Sequence, residues 1–184
     1  MNRLYGSILD SVEKQCYKSN EFIFGGYSSL EKKYRIWKFR FDNSGVKLFT
    51  TSPGIKTMLG KKIGPYIVAG DKKKEFKQKL HYFMRDKYGG SFENYSNNGF
   101  DTEPLEVLVG MLNESGIEDT IGGAPQIMKV YSFSQANPIG VYWPYKTKDK
   151  RDNRYIMGRE VRKEEIIDYR FLNLKTMKTT KTSN

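Results

Sequence analysis

Leu4, Tyr5, Ile8, Leu9, Val12 and Cys16 recur at three- and four-residue spacing, which puts them on one face of a helix of about four turns. The polar Lys18-Ser19-Asn20 breaks that period. "EFIFGGYSS" follows, a short apolar run reaching Gly25 and Gly26, and it predicts a strand. In "YRIWKFRFD", Trp37, Phe39 and Phe41 alternate with Ile36, Lys38 and Arg40, the two-residue period of a strand with one buried face. Asp42 to Gly45 is turn chemistry, and "VKLFTT" returns as the partner of an antiparallel hairpin.

A glycine-punctuated loop with Gly54, Gly60 and Gly64 leads to "PYIVAG", an expected short strand running into Asp71 as a helix N-cap. In the helix that follows, Phe76, Leu80, Phe83 and Met84 form the apolar stripe, and Gly89 and Gly90 end it. A second helix is predicted by the shared face of Leu105, Leu108, Val109 and Leu112. Pro104 sits in its first turn, Glu103 and Glu106 suit the positive end of its dipole, and Gly116 follows its end.

The stretch "IGGAPQIMKVYSFSQANPIGVYWP" reads as a glycine hinge and two strands: residues 127–133 outward, "SQANP" as the turn, and residues 139–143 back, ended by Pro144. Another strand is expected near "RYIMG". The lysine- and threonine-rich end predicts a single α+β domain over residues 1–174 and a disordered polar tail over 175–184.

Charge adds a partner class to this picture. The 184 residues carry 32 Lys+Arg against 21 Asp+Glu, a formal charge of +11, which suits acidic partners such as nucleic acid or an anionic surface. The basic residues are spread along the chain instead of forming one arginine-rich stripe, so a solvated lysine-rich surface is favoured. The candidate nucleic-acid contacts are Lys72, Lys73 and Lys74 on the first predicted lysine-rich helix, and Lys146, Lys148, Lys150, Arg151 and Arg154 in the loop "YKTKDKRDNR". Tyr145 or Tyr155 would be available to stack on a base. Asp149 and Asp152 dilute that loop's charge.

One cysteine rules out an internal disulfide framework and fits a reducing compartment, so the cytoplasm is the expected location. The opening residues carry charges throughout, unlike a secretory signal, and no apolar stretch has the length of a membrane span.

No complete catalytic constellation stands out. Gly122-Gly123 lacks the Gly-Lys-Ser/Thr ending of a phosphate loop. His81 is the sole histidine, so a histidine-built zinc site or a Ser/His/Asp triad has no supporting pattern, and neither metal nor cofactor is expected. Cys16 reads as a buried helical side chain. Glu164, Glu165 and Asp168 sit among basic residues, where surface ion pairing is the expected role.

Three stretches, "EFIFGGYSS", "YRIWKFRFDNSGVKLFTT" and "GPYIVAGDKKKEFKQKL", together resemble the later part of proteasome-like N-terminal-nucleophile hydrolases: a strand ending in glycine, a hairpin, and a strand entering a glycine-headed helix. Coverage would run from Leu4 to Gly158. The resemblance implies a layered sandwich of antiparallel sheets and helices (αββα-like), here without its first strands. The family's Thr, Ser or Cys nucleophile heads the first strand, whereas this chain opens Met1-Asn2-Arg3 into a predicted helix, so no catalytic residue carries over. The expectation is a proteasome-like domain, catalytically silent as this chain, with a structural or assembly role and self-assembly as one form of it. The alternatives are a basic nucleic-acid-binding module, or a fragment of an amide hydrolase whose nucleophile lies upstream.

Overall fold

The computed structural model describes residues 21–42, 45–50, 55–56, 62–63, 66–89, 100–116, 118–133, 135–144, 152–162, 165 and 168–181. The predicted helix over residues 4–16, the glycines at 54, 60 and 64, residues 145–151 and Glu164 lie outside them. The fold is α+β.

β1 (Glu21–Ser28), β2 (Lys33–Asp42) and β3 (Gly45–Thr50) form an antiparallel sheet in the order β1-β2-β3. The β2–β3 hairpin is the one that the alternating aromatics and the turn residues predict, and β1 adds to it as a third strand. The register sets Phe22 opposite Phe39 and Phe24 opposite Trp37, so these four rings share one face. Phe24 and Trp37 lie 5.7 Å apart, and on the opposite face Tyr27 meets Tyr34 edge-on at 5.2 Å. β4 (Ile55–Lys56) and β5 (Lys62–Ile63) make a small antiparallel pair.

α1 (Lys73–Lys87) buries Phe76, Leu80 and Met84 at the predicted helical spacing, against Val107 and Met111 of α2 (Glu103–Glu114). Leu112 on α2 joins a second cluster with Val141, Trp143 and Leu172 of the larger sheet and Leu174 in the turn that follows, supported by Leu105, Leu108 and Val109. α2 is therefore packed on two sides, by its partner helix and by the sheet. That explains its apolar character, which is wider than the single predicted stripe.

The larger sheet contains β7 (Ala136–Pro144), β8 (Asp152–Ile156), β9 (Arg159–Glu160), β10 (Arg170–Asn173) and β11 (Lys178–Lys181), in the order β11-β10-β7-β8-β9, with β6 (Ile127–Val130) also paired to β7. Its pairings are antiparallel except β10 with β7, which run parallel, so the sheet is mixed where an antiparallel one was expected. Gly140 makes this crossing possible. It lies opposite Phe171, and a Cβ there would fall 2.4 Å from the Phe171 ring, which is fully buried.

Several local expectations change. "PYIVAG" joins no sheet among the described residues; Tyr66 and Val68 pack on the helix-pair core instead. The α1 N-cap is Lys72, without a side-chain cap, because Gly70 turns the chain at φ 103° and accepts from Lys73 N. β6 stops at Val130, since Tyr131 N donates to the Gln135 carbonyl at 2.8 Å and closes the loop, which puts Phe133 in the turn and Ala136 to Pro138 in β7. Beyond β10, Asn173 Oδ1 accepts from Lys175 N and Thr176 N, Met177 takes φ 52°, and Lys178–Lys181, within the tail expected over residues 175–184, pairs with β10 as β11.

Candidate functional site

A cleft of about 200 Å3 opens between the start of α1, the end of α2, and Ser115, Asp119 and Ile121 beyond it. Met111 and Ile121 give it an apolar lining, and charged side chains make up most of the rest. Those charges form a ladder of alternating sign. Asp119 meets Lys72 at 3.2 Å, Lys72 meets Glu75 at 3.6 Å, Glu75 meets Lys79 at 3.4 Å, and Lys79 meets Glu114 at 2.5 Å. The helix repeat explains the two α1 links, since Lys72 and Lys79 lie three and four residues from Glu75 on one flank.

Local backbone geometry holds the far end. Gly116 N donates to Asp119 Oδ2 at 2.7 Å, and Asp119 N donates back to the Gly116 carbonyl, so a short turn presents the Asp119 carboxylate to Lys72. Ser115, buried at the α2 C-cap, donates its hydroxyl proton to the Leu112 carbonyl at 2.7 Å, satisfying one of the helix's terminal acceptors. The hydrogen bond to Asp119 raises the Lys72 ammonium above its ordinary value, and the bond to Glu114 does the same for Lys79. Both lysines are therefore cations at neutral pH, suited to holding carboxylates and not to accepting protons.

Two further acids are more deeply enclosed. Glu103, at the head of α2, is only 2% exposed; it accepts from Tyr88 Oη at 2.7 Å, Lys87 Nζ at 3.0 Å and Asp101 N at 2.7 Å. Burial pushes this carboxyl up, but the Tyr88, backbone and Lys87 donors outweigh it and bring the pKa to about 2. Glu21 at the head of β1 accepts through Oε1 from Lys73 at 2.8 Å and from Lys38 at 3.1 Å, while its buried Oε2 has no hydrogen-bond partner among the described residues. Burial again opposes ionisation, and the two ammoniums prevail, holding the carboxyl below its ordinary range.

The structure distributes the sequence-derived candidates as follows. Lys72 belongs to the charge ladder and Lys73 to the Glu21 pair; Lys74 is exposed on α1. The Arg154 guanidinium lies 5.8 Å from the Phe171 ring centroid and donates to the Arg162 carbonyl. Lys146, Lys148, Lys150 and Arg151 lie outside the described residues. His81 is exposed beside Tyr82. Glu165 forms a two-pronged pair with Arg159 at 2.8 and 2.5 Å, which holds its pKa at about 2, as the ion-pairing expectation requires, and Asp168 is exposed. Among the described residues no group of three metal-ligating side chains is gathered, and no helix is long and apolar enough to cross a membrane.

Sequence reasoning did not single out Glu21, Ser115 or Asp119 as site residues, and it placed Glu103 only by its position in the first helical turn. The spacing of Lys72 and Lys79 from Glu75 is the sequence signal that could have found the α1 part of the ladder. Comparison with protein-family models, curated proteins and solved structures finds no match to this chain.

Proposed function

We propose that this chain is a proteasome-like layered domain with a structural, assembly role, catalytically silent as this chain, and that it self-assembles by strand addition at β1. The observation that carries the reading is the position of β1. It ends the order β1-β2-β3, and among the described residues no strand pairs with its outer edge, along a run, Ile23 to Tyr27, that holds no charge. The opposite case is β11, an edge strand that begins and ends in lysine, the residue that discourages pairing.

The silent part of the reading is supported by the cleft. Its acids and lysines are paired with one another, and Ser115 commits its proton to a helix carbonyl, whereas a nucleophile needs a base to receive that proton. The packing of α2 between its partner helix and the larger sheet supports the layered, sandwich-like architecture.

Light scattering across a concentration series tests the reading, together with amide-substrate turnover and an electrophilic probe for N-terminal nucleophiles. Concentration-dependent association without turnover is the expected result. A monomer at every concentration that hydrolyses amides and loses that activity on labelling would overturn it.

A further inference from the structure

We propose that the face of the first sheet carrying Phe22, Phe24 and Trp37 is a stacking platform for single-stranded nucleic acid. The register places these rings and Phe39 on one face, and two of them stay accessible, Phe22 at 52% and Phe24 at 49%. Along β1 the two rings stand about 7 Å apart, room for one base against each. Trp37 sits beside Phe24 at 5.7 Å and extends the apolar surface onto β2.

The same face becomes cationic at its other end. The register sets Arg35 opposite Gly26 and Lys33 opposite Ser28, both on the side of the phenylalanines. Lys33 and Arg35 share one carboxylate, Glu31, at 3.5 and 2.5 Å, and Lys32 adds a further exposed cation in the turn. Residues 28–35 thus set three cations against one acid, a local charge of +2. Sequence-tolerant binders of single strands combine these two elements, flat apolar rings for bases and adjacent cations for phosphates. An acidic peptide would answer the charge but not the rings; a second copy laid on this face would answer the rings but repeat the charge. A polyanion with exposed π faces answers both. This inference uses the face of β1, where the assembly reading uses its edge, so either can fail without the other.

The test is fluorescence anisotropy of the full chain with a labelled oligothymidylate of about 12 nucleotides and with a duplex of equal length. Intrinsic fluorescence is read in parallel, because Trp37 lies on the face whereas Trp143 is buried. The expected result is preference for the single strand, quenching of Trp37, affinity lowered roughly tenfold or more by Phe22→Ala with Phe24→Ala, and a shallower salt dependence in Lys33→Glu. Lys77→Glu, exposed on α1, leaves the preference and the quenching in place. Should the double alanine variant not fold, the Phe24→Ala single variant and wild-type quenching decide the matter. Equal binding of duplex, no binding of either, binding without Trp37 quenching, or aromatic variants that change only the oligomeric state would each overturn the proposal.

Discussion

The Tyr88 hydroxyl, one residue past α1, donates at 2.7 Å to the buried Glu103 carboxylate in the first turn of α2. With Lys87 Nζ and Asp101 N on the same carboxylate, this contact ties the end of one helix to the start of the next. Glu103→Ala would remove the shared acceptor and leave its donors without it. We expect a loss of about 2–3 kcal/mol, read from urea denaturation. Glu103→Gln, which keeps an acceptor oxygen, should lose less.

The same group sets an acid limit. Its folded pKa of about 2 lies below its ordinary value of 4.5, so the unfolded chain binds this proton more readily. The stabilisation is fully present above about 4.5 and declines as pH falls from there toward 2. Denaturant midpoints measured from pH 6 to pH 2.5 should fall through that window in the wild type, and with a visibly smaller slope in Glu103→Gln. Equal slopes would mean that folding leaves the Glu103 pKa unshifted.

Gly140 and Phe171 define the parallel junction of the larger sheet. Gly140→Ala places a methyl within 2.4 Å of a buried ring, so the ring or the strand must shift, and we expect about 1–3 kcal/mol of destabilisation. Combining it with Phe171→Leu should cost less than the sum of the two single changes, a coupling that a double-mutant cycle measures.

Along the hairpin that follows, Val130→Asp and Val141→Asp should part company. Val130 is half-exposed at the end of β6, whereas Val141 is 1% exposed between β10 and β8. The charge at 141 should prevent folding or lower the thermal midpoint by well over 10 °C, and the charge at 130 should shift it by only a few degrees.

That contrast shows where the sequence was legible. The helical stripe Phe76, Leu80, Met84 declares itself because its local period is matched by local burial, and the aromatic alternation of β2 because it is matched by strand pairing with its chain neighbours. The end of β6 does not, since alternation continues in "VYSF" while the Tyr131–Gln135 hydrogen bond and the Tyr131–Phe133 ring stack close a turn there. The parallel meeting of β10 with β7 is a long-range event, and nothing in "RFLN" announces which strand it will join. Site residues were harder still. Glu21, Glu103 and Asp119 look like ordinary surface acids in sequence, and their roles come from lysines and backbone groups 2 to 52 residues away.

Hydrogen exchange of the β1 amides, followed as a function of protein concentration, tests the assembly account most directly. If a second copy adds its strand at this edge, outward-facing amides within Ile23 to Tyr27 exchange more slowly as concentration rises, and Ile23→Lys removes that dependence while leaving the amides of α1 unchanged. Exchange at β1 that is independent of concentration, while light scattering still reports association, would contradict it by placing the interface elsewhere.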